Sequence, residues 1–97
     1  FEQKLEYLRA KIDRLDDELV ELLKNRGQIS VEIGKLKQEE KVTVFQQGRL
    51  EELLELRKKS AAKKGVNPDM IEDIFTRVHT ESVELQCNLE FDAKKEE

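Results

Sequence analysis

The chain has 97 residues, 41% of them charged and 37% hydrophobic, with no Trp and a formal net charge of −4. Its 18 Lys and Arg residues are interleaved with 22 acidic ones rather than gathered into a basic patch, which argues against nucleic acid as a partner. No apolar run approaches the roughly 20 residues that span a bilayer, and no signal-peptide pattern opens the chain, so a soluble, cytoplasmic protein is expected.

The first predicted element is a long helix from about Gln3 to Gln38. Leu5, Leu8, Ile12, Leu15, Leu19, Leu22, Ile29, Ile33 and Leu36 recur at alternating intervals of three and four, and the one seam position without an apolar residue holds Arg26. A guanidinium on a face meant for burial is costly unless an anion meets it, so either a protein carboxylate or an anionic ligand is expected there. Gly27 and Gly34 lie inside the same helix, each at a cost of about 1 kcal/mol relative to Ala. They read as tolerated weak spots, or as places where a missing side chain lets another helix or a ligand approach Arg26 and Ile33.

Lys41 to Phe45 is β-branched and short, which predicts a linker. A second helix is expected from near Gln47 to just before Gly65, with Leu50, Leu53, Leu54 and Leu56 as its apolar face and Gly65 as its C-terminal cap. Asn67 followed by Pro68 reads as an N-cap and a first helical position. The third helix then runs to about Leu89, with Ile71, Ile74, Phe75, Val78, Leu85 and Leu89 facing inward. Ser82 shares that stripe and Gln86 lies one turn after it. The expectation is therefore an all-α domain over residues 1–89 and a charged C-terminal tail over 90–97 that frays.

A chain this short buries a limited fraction of its surface, and dimerisation is the simplest remedy. Cys87 stands alone, excluding an internal disulfide, and neither Cys nor His recurs at metal-ligand spacing, so no metal is expected. The absence of an initiator Met before Phe1 leaves open a trimmed product or an excised domain.

Arg26, Lys37, Ser82 and Gln86 are polar residues on faces predicted to be buried. Arg26 and Lys37 are three turns apart, about 20° in azimuth and roughly 16 Å along the axis, so their long side chains can converge on one small anion. Arg9 lies about 42 Å of helix from Lys37 and can serve the same site only from a second chain, as when the long helix pairs antiparallel with its twin. Blander readings stand beside these. A lone cation in a heptad seam can merely fix register, a helical Ser can bond the carbonyl one turn back, and Gln86 can sit at a solvated edge. His79 reads as a helix residue near the pocket rim, and Asp16 to Glu18 as a solvated face.

Leu8-Arg9-Ala10-Lys11-Ile12-Asp13, Leu15-Asp16, Leu22-Leu23-Lys24-Asn25-Arg26, Ile33-Gly34-Lys35-Leu36-Lys37 and Glu81-Ser82-Val83 with Gln86, in that order, resemble the all-helical class of chorismate mutases. The resemblance covers Leu5 to Gln86. It implies an intertwined homodimer of three-helix chains that performs a Claisen rearrangement of chorismate to prephenate, at the branch leading to phenylalanine and tyrosine. No cofactor, covalent intermediate or obligatory proton transfer is implied. By the family pattern, Arg26 and the partner subunit's Arg9 hold the two substrate carboxylates. Lys37 contacts a carboxylate and the ether oxygen, and Gln86 donates to that oxygen. Arg49 matches an arginine near the start of the family's second helix, and Ser82 a hydroxyl residue at the carboxylate end of the pocket.

The chain departs from the pattern where many members bind the substrate hydroxyl with acidic residues. Leu50 follows Arg49 directly, and Gln46 stands where another acid is frequent. Gln46, a neighbouring backbone group or Glu52 is expected to take the hydroxyl instead, with weaker binding. Val42 to Arg49 is also similar to mutase domains attached to 3-deoxy-D-arabino-heptulosonate 7-phosphate synthase, which opens the shikimate pathway, and suggests a fused or associated enzyme of that kind. Three rivals keep the helices and change the role: a domain that binds chorismate or prephenate to regulate a fused enzyme, an isochorismate pyruvate lyase, and a helical interaction module whose cations pair with protein carboxylates.

Overall fold

The computed structural model describes residues 1–96, with side chains through Leu89. It is all-α, with α1 at Glu2–Glu40, α2 at Arg49–Lys63 and α3 at Pro68–Glu96. The chain measures 61 × 29 × 15 Å, and the long dimension is essentially the length of α1. Helix α3 packs against both α1 and α2, whereas α1 and α2 do not pack on each other. No helix among the described residues is long and apolar enough to cross a membrane.

Each boundary has a local cause. Helix α1 ends when Lys41 takes left-handed dihedrals (φ 58°, ψ 37°), and the N–H groups of Lys41 and Val42 close onto the carbonyls of Gln38 and Lys37 at 3.2 and 3.0 Å. This is a Schellman motif with Lys where Gly is usual, and the left-handed conformation costs roughly 1–2 kcal/mol for a residue with a Cβ. The cost goes into reversing the chain so that Val44 comes back over the last turn of α1. Helix α2 starts at Arg49 rather than near Gln47 because Gly48 adopts a φ of 83°. It stops as expected at Gly65 (φ 74°), where the N–H groups of Gly65 and Val66 bond the carbonyls of Ala62 and Ala61. The Asn67 carboxamide oxygen accepts the Asp69 N–H at 2.9 Å, the cap expected before Pro68. Helix α3 continues past Leu89 to Glu96; the expected fraying over 90–97 falls on positions outside those described in full.

The packing faces differ from the sequence expectation. The apolar stripe of α1 from Leu8 to Leu36 stays 43–63% exposed, and the face turned to α3 carries Arg26, Ser30, Gly34 and Lys37, with Ser30 and Gly34 buried. Hydrophobic periodicity therefore marks a face that the described residues leave open. In α2 only Leu53 and Ala61 are buried, and Leu56 points outward at 51% exposure. On α3 the most completely buried of the described residues are Ser82 and Gln86, while Ile74 is exposed. The interior is small and, around α1 and α3, partly polar.

The two α1 glycines separate into the two expected readings. A Cβ on Gly34 would stand 2.9 Å from Leu89 Cδ1, 3.0 Å from Gln86 Cγ and 3.3 Å from Gln86 Cα, so the bare backbone is what lets α3 come close. A Cβ on Gly27 would meet only Leu85 Cδ1 at 3.6 Å, an ordinary contact. Gly27→Ala should then stabilise the fold by about 0.5–1 kcal/mol through helix propensity, and Gly34→Ala should destabilise it by pushing the Gln86 backbone away. Denaturant unfolding of the two variants checks this, and equal gains would mean that α3 is not held close by Gly34.

Candidate functional site

Four α1 residues and two α3 residues make the site. Arg26, Ser30, Gly34 and Lys37 recur every three or four positions and so line one face of α1. Ser82 and Gln86, one turn apart on α3, stand opposite them. The Arg26 guanidinium donates from Nη1 to Ser82 Oγ, and the hydroxyls of Ser82 and Ser30 share a hydrogen bond of 2.8 Å. The Lys37 ammonium donates to Gln86 Oε1 at 2.9 Å and to the Val44 carbonyl at 2.7 Å. No buried side-chain nitrogen or oxygen among the described residues lacks a partner.

These groups surround a cavity of about 130 Å³, whose remaining walls are Ile33, Val44, Phe45, Gln46, Arg49, Leu53, His79 and Val83. The walls bring three cationic side chains together and include no Asp or Glu. Among the described residues neither Arg26 nor Lys37 makes an ion pair, so of the two anions expected beside Arg26 the protein carboxylate is absent, and a neutral hydroxyl stands there with room for a ligand. Burial first, then the charges of Arg57 and Arg49, lowers the pKa of Arg26 from its ordinary value. A guanidinium remains charged regardless, so the cavity is a region of positive potential with polar donors already in place.

The geometry also orients Gln86. An ammonium has only donors, so the atom Lys37 meets must be the carboxamide oxygen, and the Gln86 NH₂ is left as a donor on the other side. Of the three Lys37 protons, two serve Val44 and Gln86, and one remains. Arg26 keeps most of its five N–H groups uncommitted.

The remaining sequence candidates fall into three groups. Gln46 and Arg49 line the cavity, but Gln46 Nε2 is tied to the Thr43 carbonyl at 2.7 Å and Arg49 pairs with Glu52 at 3.2 Å. Leu50 lies in a separate groove at the cavity mouth with Gln46, Glu51 and His79. Arg9 is exposed near the far end of α1 and reaches no cavity wall within its own chain. Two contributors were not foreseen. Ser30 could have been found by stepping one turn from Arg26 along the face that also holds Gly34 and Lys37. The Val44 carbonyl depends on the Lys41 reversal and has no side-chain signal. Beyond Arg26 and Ser82 an apolar groove of about 260 Å³ continues between Leu23, Gly27, Val78 and Leu85. Among the described residues no group of three or more His, Cys, Asp or Glu is arranged to hold a metal, and Cys87 is free and exposed.

The chain matches the family described as chorismate mutase type II over residues 8–87. It is 34% identical over 82 residues to the T-protein of Haemophilus influenzae, covering 84% of this chain and 22% of that protein. To the T-protein of Enterobacter agglomerans it is 37% identical over 79 residues, covering 81% of this chain and 21% of that protein. The chain thus spans about a fifth of the length of the curated relatives it matches. Both relatives carry the name T-protein and neither that of 3-deoxy-D-arabino-heptulosonate 7-phosphate synthase, so the fusion expected from Val42 to Arg49 draws no support from them. No solved structure gives a significant match.

His79 reports on the field of the cavity. Its partial burial, and then the charges of Arg26, Arg49 and Lys37, hold its pKa below 6.5, with Glu51 opposing. Because the unfolded chain takes up this proton at higher pH than the folded one, stability on this account falls as the pH drops through 6.5 toward the folded pKa and is unaffected above. An NMR titration of the imidazole should give a midpoint below 6.5 that rises when malonate occupies the cavity and offsets the cations. A midpoint at or above 6.5 without ligand would remove His79 from their field.

Proposed function

Because this chain belongs to the chorismate mutase type II family, we propose that it rearranges chorismate to prephenate in aromatic amino-acid biosynthesis, in a pocket completed by a second copy of the chain. The observation that carries this reading is the pair Arg26 and Lys37 on one small cavity with neutral oxygens as their only partners among the described residues. Such a cavity suits a substrate with two carboxylates. Arg26 offers parallel N–H groups for a bidentate contact, and Lys37 a point charge.

The reaction breaks a carbon to oxygen bond, and negative charge builds on the ether oxygen as it does so. Donors already aimed there stabilise the transition state more than the ground state. Lys37 supplies its third proton and Gln86 its NH₂, held outward by the bond between Lys37 and Gln86 Oε1. Holding both carboxylates selects the compact conformer in which the reacting carbons meet, an orientation effect that can supply roughly several kcal/mol. Gln86 does not titrate, so this donor is available at neutral pH. Gln46 Oε1 is the acceptor for the ring hydroxyl, because its NH₂ is committed to Thr43.

The open faces support the dimer. The exposed stripe of α1 and the apolar groove beside Arg26 and Ser82 both need a cover, and a second α1 running antiparallel supplies one. It also carries Arg9 of the partner subunit about 42 Å along the axis, to the second carboxylate. Residues 1–89 are then the mutase domain and 90–97 a charged tail, and a fused or associated shikimate-pathway enzyme remains part of the proposal. One observation favours a second reading, a domain that binds chorismate or prephenate to regulate such an enzyme: Leu50 offers the hydroxyl no acceptor, and no carboxylate lines the cavity.

Loss of chorismate absorbance with identification of the product separates the readings. Conversion to prephenate, with specific activity falling on dilution, is expected, and Arg26→Ala should abolish it with helicity retained. Binding of chorismate without turnover supports the regulatory reading, and release of pyruvate from isochorismate the lyase. Mixing inactive Arg9→Ala chains with inactive Lys37→Ala chains should restore about a quarter of wild-type activity, because a statistical half of the dimers are mixed and one of their two sites is intact. No recovery after verified subunit exchange would remove the shared site.

A further inference from the structure

Ser30 is 5% exposed and Ser82 8%, and both lie between α1 and α3 on the wall of the cavity. A hydroxyl has one proton and two lone pairs. On Ser82 the Arg26 guanidinium occupies one lone pair, and the bond between the two serines involves the proton of one and a lone pair of the other. Two arrangements result. If Ser82 donates to Ser30, then Ser30 keeps its proton for the helix carbonyl one turn back. If Ser30 donates, both lone pairs of Ser82 are filled and the Ser82 proton is left for the cavity.

An anion selects between them. A carboxylate held by Arg26 lies next to Ser82 Oγ and can only accept, which favours the arrangement in which Ser82 still has a proton to give. We propose that Ser30 is a positioning residue for the anion end of the cavity: it donates to Ser82, so that the Ser82 hydroxyl donates to the substrate carboxylate beside Arg26. The proposal rests on the chorismate reading for the identity of that carboxylate. Without Ser30, the Ser82 hydroxyl is free to turn toward the carbonyl one turn back on α3, as helical serines commonly do, and its donor is lost to the cavity.

The carboxylates remain carboxylates throughout the rearrangement, so this contact is of similar strength in ground and transition states. Its loss should appear in KM and not in kcat. Ser30→Ala should raise KM for chorismate, and the calorimetric Kd, roughly tenfold, the scale of one hydrogen bond to a charged group, with kcat within about twofold. Ser82→Ala should do the same. The double variant should be no worse than Ser82→Ala alone, because Ser30 acts only through Ser82. Circular dichroism and thermal unfolding establish that each variant is folded at the assay temperature.

Three results overturn the proposal: an unchanged KM in Ser30→Ala, a loss confined to kcat, or a Ser30→Ala effect that persists in the Ser82→Ala background, which marks Ser30 as a packing residue. Failure of the functional reading looks different, since the unmodified chain would then neither bind nor convert chorismate. That outcome also overturns the carboxylate contact proposed here.

Discussion

Two cations held by neutral oxygens are the constraint around which this small protein is organised. Arg26 rests on a serine hydroxyl, and Lys37 on a carboxamide oxygen and a backbone carbonyl. These contacts fix the side chains without neutralising them. A carboxylate in either place would have satisfied the charge and closed the site to an anionic ligand. The arrangement requires α1 and α3 to lie close enough for Lys37 to reach Gln86, and the bare backbone of Gly34 permits it. It also requires the chain to double back after α1, which the left-handed Lys41 accomplishes by bringing the Val44 carbonyl to Lys37.

Helix α1 thereby does two jobs on two faces. One face is small and polar, and meets α3 across Ser30 and Gly34. The other carries the leucines and isoleucines, and it stays exposed among the described residues. Leu53 is the large side chain fully buried among the described residues, a slight interior, and the exposed stripe is where further apolar burial is available. In the proposed dimer, stability and site completion would converge on one event, because a second α1 laid on that stripe would also deliver an arginine to the cavity edge.

The departures from the family pattern cluster at the mouth of the cavity, away from the cation pair. Gln46 is fastened by its amide nitrogen to the turn that Thr43 and Phe45 form, and Leu50 faces the adjoining groove. An acceptor that is an amide oxygen discriminates less strongly for a hydroxyl than a carboxylate does, since bonds to charged groups are roughly twice as strong. In the proposed reaction the chemistry at the ether oxygen would rely on Lys37 and Gln86 and would be separate from this loss. On that proposal, binding of the ring and catalysis on the ether would be addressed by different ends of one cavity.

The sequence alone determined the three helices, the caps at Gly65 and Asn67, and most of the polar residues that line the cavity. The Gly65 stop and the Asn67-Pro68 start are local signals, and the structure has both caps at those positions. The oddity of Arg26 in an apolar seam was legible too, since a charge at a buried spacing is visible in one dimension. Tertiary structure decided which face meets which. The strongest hydrophobic stripe turned out to be the one its own chain leaves open, because periodicity reports that a face will be buried and not by what. The partners of Arg26 and Lys37, the role of Ser30 and the Val44 carbonyl became legible only once α3 lay against α1. Each depends on contacts between residues far apart in the chain, and a backbone carbonyl carries no residue-specific mark in the sequence.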